Sequence, residues 1–333
     1  MQIFKNCQGG MRITYILFTG ICYIILIATE VFSYWEWTPE RGRWINPKYY
    51  VAETSSEQWK YAMSVYEAGD YKTAQREFKK LIKHFPTSEE AGEAQFMIGK
   101  CYEKQQRLYE ACKSYQEVIN KYPSTERLRE IVERQVHIAN QFYNRSLERQ
   151  SIVVKTKEFF TETNWDKAAT IYKMVIENHP YYEKADEVQY RIGECYLKTG
   201  KYEVARVEFG KVASTYPDSP LVDDAEYQIG MCWIYQSRNT PYNEEIIARA
   251  IRSLEDFLGK YPESELVSKA KEKLKTLRNR KGEKIYQIAY FYERTGEVNA
   301  ARIYYQYIID EFPTSIWAER SKSRLEKISS SKK

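Results

Sequence analysis

The chain has 333 residues, and its 51 Lys and Arg against 46 Asp and Glu leave a net charge of only +5. Because the charges are interspersed and no basic tract is interleaved with aromatic residues, the composition gives no indication of nucleic-acid binding. The chain has 14 Gly and 3 His and no Gly-rich phosphate loop, Gly-x-Ser-x-Gly, Cys-x-x-Cys or His-Glu-x-x-His motif, so it predicts no catalytic residue, metal site or cofactor.

Residues 1–33 are interpreted as an export signal. Ile13–Thr29 is nearly all apolar, Arg12 precedes it, and Ser33 offers a small residue for cleavage. An uncleaved membrane anchor is the alternative, because about 17 apolar residues lie at the lower limit for crossing a bilayer. Cys22 lies within the run and lacks the small preceding residue of a lipidated Cys, so no lipid anchor is predicted.

Residues 34–55 are predicted to form an extended arm. The segment contains two Pro residues, shows no helical period and carries Trp35, Trp37 and Trp44 within ten positions. Trp favours either a membrane–water interface or a packed groove. The arm is therefore expected either to lie on a bilayer or to cap the exposed end of the domain that follows.

The rest of the chain repeats a pattern in which an aromatic residue and Pro end a helical segment. The pairs are Phe85-Pro86, Tyr122-Pro123, His179-Pro180 (with His in the aromatic position), Tyr216-Pro217, Tyr261-Pro262 and Phe312-Pro313. Pro cannot continue the hydrogen-bond ladder of a helix, so each pair predicts a helix end. A Gly seventeen residues before the Pro, as at Gly69, Gly200 and Gly296, predicts the end of the preceding helix.

Two further positions recur before each Pro. The residue twelve positions earlier is always Ala, which lets two helices approach closely: Ala74, Ala111, Ala168, Ala205, Ala250 and Ala301. The residue eight positions earlier is large and is predicted to fill the space between neighbouring helix pairs: Phe78, Tyr115, Tyr172, Phe209, Leu254 and Tyr305.

This combination resembles the tetratricopeptide repeat, a helix-turn-helix unit of about 34 residues. Six units are counted over residues 56–327. They divide into N-terminal repeats (56–123), central repeats (124–217) and C-terminal repeats (218–327), followed by a tail (328–333) expected to be disordered. The predicted fold is all-α, a right-handed α-α superhelix (solenoid) with a concave face.

The spacing between repeats is uneven. Extra residues fall near Asn144–Thr163, expected to lie between the two helices of the third unit, and an inserted loop is expected near Gln236–Glu245. Ser268–Arg294 has no Pro and one Gly, which predicts a single long helix. Inserts in such arrays often contact partners, but tolerated surface loops are an equally open alternative.

The first helix of each unit is expected to line the concave face and to bind polypeptides. Trp59 and Met63 in the first unit, and Phe96 and Lys100 in the second, are the candidate peptide-binding residues. Lys100 has the charge to pair with a carboxylate of the peptide. The alternative is that Trp59 and Phe96 simply pack against the preceding segment.

Two C-terminal segments are more specific than the repeat pattern. Residues 274–296 read LKTLRNRKGEKIYQIAYFYERTG, and the last repeat ends in Phe312-Pro313-Thr314-Ser315. With the export signal, the aromatic arm and the repeats, these segments resemble the BamD family of outer-membrane β-barrel assembly components. The resemblance covers roughly residues 56–327.

The resemblance implies a non-enzymatic periplasmic scaffold, associated with the outer membrane, that assists the assembly and insertion of β-barrel proteins. In that family the N-terminal repeats are associated with unfolded substrate segments, here Trp59, Met63, Phe96 and Lys100. The C-terminal repeats are associated with the periplasmic domains of the barrel component BamA. The partner residues implied here are Arg278, Arg280, Lys284, Tyr286 and Tyr290. Since the family's lipidated Cys pattern is not found, attachment through the Trp arm or through a partner is expected.

Two other functions remain as alternatives. A periplasmic Tol-Pal-associated cell-division coordinator shares the aromatic-Pro style of repeat, but that family carries a coiled coil before its repeats. The segment before Ser56 is too short and too rich in Pro for heptads. An accessory lectin-like module is supported only by the 30 Tyr residues.

Four Cys follow the signal: Cys101, Cys112, Cys195 and Cys232. Cys101 and Cys112 are expected on paired helices of one unit. A disulfide between them is an alternative to the favoured interpretation, in which they are small buried residues that pack as hydrophobes.

Overall fold

A computed structural model describes residues 35–38, 43–46, 49–151, 163–239 and 244–330. The predicted export signal lies outside these ranges. Within them, two short strands, β1 (Glu36–Thr38) and β2 (Arg43–Ile45), form an antiparallel β-hairpin. The helices that follow are α1 (Ser55–Glu67), α2 (Tyr71–His84), α3 (Glu90–Lys104), α4 (Leu108–Lys121), α5 (Leu128–Ser151), α6 (Asn164–Asn178), α7 (Ala185–Lys198), α8 (Tyr202–Thr215), α9 (Val222–Asn239), α10 (Glu244–Lys260), α11 (Val267–Arg294), α12 (Val298–Glu311) and α13 (Ile316–Ser330).

The fold is an all-α solenoid of paired helices, as predicted. It divides into an N-terminal unit, residues 1–107, and a C-terminal unit, residues 108–333. The N-terminal unit contains the β-hairpin and α1–α3, and the C-terminal unit contains α4–α13. Among the helices of the described ranges, none is both long and apolar enough to cross a membrane.

The two recurring positions of the repeat form the core. All six Ala residues twelve positions before Pro are fully buried, from Ala74 to Ala301. All six large residues eight positions before Pro are also fully buried, from Phe78 to Tyr305. The predicted burial is confirmed at both positions. The large residue lies within a helix pair, however, and not between neighbouring pairs as expected, because Phe78 packs on Trp59 and Phe209 on Gly193 of the same pair. Burying each large side chain contributes about 1.5–3 kcal/mol, so these positions hold each helix pair together.

The aromatic residue before each Pro ends its helix. In the first repeat the Phe85 N–H donates to the Leu81 carbonyl over 2.8 Å, and the Ser88 N–H then closes a turn onto the Phe85 carbonyl. Equivalent bonds recur in all six repeats. Pro lacks an N–H and fixes φ, so it suits the second position of this turn, and the predicted helix ends are confirmed.

The first helix of a pair ends on a residue in the left-handed region. Gly69, Gly200 and Gly296 have φ of 85°, 77° and 87°, as predicted for a glycine C-cap. In the second repeat the same position is occupied by Gln106, which has φ of 61°. A side chain is strained in this region, so sequence reasoning that relied on Gly alone missed this turn.

The long helix predicted over Ser268–Arg294 is confirmed as α11. The loop predicted over Gln236–Glu245 is wrong at both of its ends, because α9 continues to Asn239 and α10 begins at Glu244. The chain offers no helix breaker before Pro241, and the Ser237 hydroxyl is satisfied by donating to the Ile234 carbonyl over 2.7 Å.

The insert near Asn144–Thr163 also differs from expectation. Its first part, through Ser151, extends α5, while residues 152–162 lie outside the described ranges. At the C-terminus, α13 includes Ile328–Ser330, which were assigned to a disordered tail. Ile328 is only 8% exposed, and its burial keeps the helix intact beyond residue 327.

The four Cys residues within the described ranges are buried and form no disulfide with one another. Burial raises the pKa of Cys101 and Cys232 to about 12. A thiol with so high a pKa stays protonated at neutral pH and is a poor nucleophile. The favoured interpretation, buried packing residues, is the one that the structure shows.

Candidate protein-binding surfaces

The predicted peptide-binding residues of the N-terminal unit differ in accessibility. Trp59 is half-buried, and its ring centroid lies 5.4 Å from that of Phe78 in the same helix pair. Met63 and Lys100 are also half-buried. Phe96 is only 2% exposed. Its placement on an open groove is wrong, because α3 buries six consecutive residues, 94–99, and leaves no face for a ring to stand free.

Two buried polar residues, Gln58 and Glu77, hold the two helices of the first pair together, and sequence reasoning missed them. Gln58 donates to the backbone carbonyl and the carboxylate of Glu77, over 3.2 and 3.0 Å. Lys80 pairs with Glu77 over 2.8 Å and also donates to the Tyr50 carbonyl over 3.0 Å. The Ala52 N–H donates to Gln58 over 2.9 Å. The end of the arm, residues 50–52, is thus docked on the first helix pair.

The same pair recurs between α7 and α8. Gln189 donates to the carbonyl and the carboxylate of Glu208, both over 2.9 Å. Each Gln lies 28 residues, and each Glu nine residues, before its repeat's Pro. Glu208 also pairs with Lys211, at 2.9 Å, and with Lys173 of the preceding helix pair, at 3.0 Å. The carboxylate therefore links two successive repeats.

A second polar cluster joins the first helices of successive repeats, α5 and α7. The Tyr143 hydroxyl donates to Glu194 over 2.7 Å, and the Arg191 guanidinium lies 5.1 Å from the Tyr143 ring centroid. Arg191 also donates to Asn140 over 3.0 Å, and Asn140 accepts a hydrogen bond from the Tyr172 hydroxyl. The polar groups of the cluster are hydrogen-bonded to one another, so the cluster holds the two successive repeats together.

The carboxylates of Glu194 and Glu208 have pKa values shifted in opposite directions. Burial raises the pKa of Glu194, and the hydrogen bond from Tyr143 and the charge of Arg191 offset this only in part. Burial also acts to raise the pKa of Glu208, but hydrogen bonds from Lys211, Gln189 and Lys173 outweigh it and hold that pKa below its usual value of 4.5.

We expect Glu208→Gln to lower the free energy of unfolding at pH 7 by about 1–2 kcal/mol, because two Lys lose an ionised partner. A depressed pKa contributes stability above the unfolded pKa and loses it as the pH falls through the folded pKa. The deficit of the variant should therefore shrink below pH 4.5. Urea unfolding followed by circular dichroism at several pH values measures it.

Glu194→Gln is the matched control, since it replaces the carboxylate whose pKa is raised. Ionising that group costs stability as the pH rises, so the variant should be no less stable than the wild type at pH 7. A Glu208→Gln deficit that stays constant as the pH falls below 4.5 would contradict this account of the shifts.

The two predicted partner residues near the middle of α11, Arg278 and Arg280, are engaged within the C-terminal unit. Arg278 forms an ion pair with Glu255 over 2.7 Å. Arg280 donates to the backbone carbonyl and the hydroxyl of Ser237, over 3.3 and 3.4 Å. Both side chains therefore fix α11 against the preceding helix pair rather than project from it.

The two predicted Tyr residues pack against the last helices. The Tyr286 ring centroid lies 5.4 Å from that of Tyr305 and 5.0 Å from that of Trp317. The Arg324 guanidinium lies 5.0 Å from the Tyr290 ring centroid. Gly282 allows the close approach of Trp317, whose Cβ would lie 3.4 Å from any added Cβ. These contacts anchor α13 on α11.

An exposed apolar pair on α11 was missed by sequence reasoning. Phe291 is 61% exposed and Ile288 is 39% exposed. They follow Lys284 at positions i+4 and i+7, so the three lie on one face of the helix; we call them the α11 stripe. The sequence alone does not single out this pair, because it is the full burial of Ala289 in the structure that shows which side of α11 faces outward.

A shallow groove of about 590 Å³ lies between α12 and α13. Ile303, which is 69% exposed, Tyr307 and Leu325 provide its apolar lining. Across the described parts of the chain, no group of His, Cys, Asp or Glu is arranged to hold a metal ion.

Two known family models match different stretches of the chain. The YfiO model, described as an outer membrane lipoprotein, matches residues 145–330. The tetratricopeptide repeat model matches residues 58–88 and 93–125. Outer membrane protein assembly factor BamD of Caulobacter vibrioides is 23% identical over 152 residues, covering 46% of this chain and 50% of that protein. The match spans about half the length of this relative.

Solved structures with a similar arrangement include two tetratricopeptide repeat proteins. The C-terminal part of one from Cytophaga hutchinsonii has 17% identity and a TM-score of 0.31, covering 80% of this chain and 87% of that chain. One from Thermus thermophilus has 14% identity and a TM-score of 0.31, covering 67% and 98%.

Proposed function

Because this chain belongs to the YfiO family of outer membrane lipoproteins, we propose that it is a non-enzymatic scaffold in the assembly and insertion of outer-membrane β-barrel proteins. The observation that carries the proposal is the family match over residues 145–330, which falls within the C-terminal unit. The proposed location is the periplasmic face of the outer membrane.

The α11 stripe is the proposed contact with the periplasmic domains of a BamA-like barrel component. Exposed aromatic and aliphatic residues beside a cation are the composition of a protein-binding hot spot. Arg278, Arg280, Tyr286 and Tyr290 support the stripe, because each contacts a residue of a neighbouring helix. A rigid helix presents such a patch without an ordering cost on binding.

The N-terminal unit is the proposed site for unfolded outer-membrane protein segments. Trp59, Met63 and Lys100 keep part of their surface accessible, and they combine apolar area with a positive charge. Phe96 supports this face from the core. An extended polypeptide gains from such mixed surfaces, because apolar anchors give affinity and a cation selects a carboxylate.

The proposal is tested by capturing the full-length protein from detergent-solubilised envelopes and by measuring its direct binding to purified periplasmic domains of the barrel component. We expect the barrel component to be recovered and the purified domains to bind with micromolar or tighter affinity, about −8 kcal/mol. Recovery of soluble periplasmic proteins alone, with no binding to the purified domains, would favour the cell-division coordinator instead.

A further inference from the structure

The β-hairpin before the first helix places two Trp side chains on one face, and a third Trp directly precedes its first strand. Trp37 and Trp44 are direct partners in the antiparallel register, so their side chains lie on the same side. Their ring centroids are 5.7 Å apart in an edge-on arrangement. Trp35 precedes Trp37 by two positions, and the alternation of an extended chain puts it on that side as well. We call these residues the Trp face.

The Trp face is open. Trp35 is 54% exposed, Trp37 is 49% exposed and Trp44 is 61% exposed. Single exposed apolar residues are ordinary on protein surfaces, but several on one face mark a site of interaction. Trp in particular combines a large apolar ring with an N–H donor. It is enriched at boundaries where the ring can lie in an apolar region while the N–H faces water.

The capping role predicted as an alternative for the arm belongs to a different part of it. The Tyr50 carbonyl and the Ala52 N–H bind Lys80 and Gln58 of the first helix pair. In the α7/α8 pair the corresponding carboxylate, Glu208, is reached by Lys173 of the preceding helix pair. Residues 50–52 thus cover the first repeat on the side where the described ranges contain no earlier helix pair, and the Trp face is not needed for that purpose.

We propose that the Trp face lies in the interfacial layer of a phospholipid bilayer and holds the N-terminal unit at the membrane. The apolar run Ile13–Thr29 ends six positions before Trp35, and six residues span at most about 22 Å. Where this run is retained as an anchor, the alternative to cleavage at Ser33, the Trp face therefore follows directly on the most membrane-compatible segment of the chain. Trp rings are concentrated at the boundary between hydrocarbon and water. This attachment is separate from binding to the barrel component.

The test uses the full-length protein reconstituted with vesicles of phosphatidylethanolamine and phosphatidylglycerol whose acyl chains are brominated near the glycerol end. Bromine quenches the fluorescence of Trp residues that touch it. We expect strong quenching of the wild type and at least about threefold weaker quenching of the triple variant W35F/W37F/W44F, because interfacial rings sit at this depth. Phe keeps an aromatic ring at each position, so attachment persists while the reporter is removed.

Trp59→Phe is the matched control in the same unit, since Trp59 is half-buried against Phe78, and it should be quenched as strongly as the wild type. Circular dichroism confirms that each variant keeps its helices. Equal quenching of the triple variant and the wild type would overturn the proposal, as would a wild type that brominated lipid leaves unquenched. A triple variant that melts at a lower temperature but is quenched normally would assign the Trp face to packing.

Discussion

Replacing Phe209 with Ala is expected to lower the free energy of unfolding of the C-terminal unit by about 3–5 kcal/mol. The Phe209 ring is fully buried between α7 and α8, and its centroid lies 5.3 Å from that of Tyr190. It packs flat on the backbone of Gly193, where an added Cβ would lie 2.6 Å from the ring. Because Gly193 has no side chain that can move into the vacated space, the cavity would stay open.

Urea unfolding followed by far-ultraviolet circular dichroism measures this loss. Val207→Ala is the matched control, because Val207 lies two residues away on the same helix and is 60% exposed. Its effect should stay within about 0.5 kcal/mol. A Phe209→Ala loss below about 1 kcal/mol would show that the large residue of the repeat is not what holds a helix pair together.

The helix pairs could be predicted from the sequence because three kinds of position recur in fixed order. Pro fixes where the second helix ends, Ala sets how closely the helices approach, and a residue such as Phe78 or Tyr305 fills the gap. Each of these depends only on the local chain and on the face of one helix. For that reason the helix ends, and the burial of the Ala and the large residue, were predicted correctly in every repeat.

The polar contacts could not be predicted in this way. Gln58 and Glu77 are polar residues that a sequence pattern assigns to the surface, yet they are almost completely buried. Gln58 bonds to Glu77 from 19 positions away, and Lys80, beside Glu77 on the same helix, also bonds to the Tyr50 carbonyl 30 positions earlier. Which polar residues are buried depends on the three-dimensional pairing of the helices, and a single sequence does not contain that information.

The candidate binding residues were predicted only in part for a related reason. Phe96 was assigned to a groove because it lies on the first helix of its repeat, but α3 is buried on most of its sides. Phe291 was passed over because it is one of several aromatic residues in the segment from Tyr286 to Tyr292. Only the packing of Ala289 into the core shows which of them are turned outward.

Replacing Phe291 with Asp is expected to weaken binding of the barrel component's periplasmic domains by about 10–100-fold, or about 1.4–2.7 kcal/mol. The change removes the aromatic ring of the α11 stripe and places a charge where an interface would exclude water. Since the ring is 61% exposed, the fold itself loses little. An acidic residue near the C-terminal end of a helix costs up to about 1 kcal/mol.

Binding is measured by isothermal calorimetry with the full-length protein, and unfolding by circular dichroism on the same samples. Val207→Asp is the matched control, because Val207 is as exposed as Phe291 and lies on α8, outside the α11 stripe. It should bind as the wild type does. If Phe291→Asp also binds with unchanged affinity, then α11 does not contact the barrel component. In that case the groove between α12 and α13, with Ile303 on its rim, becomes the surface to alter next.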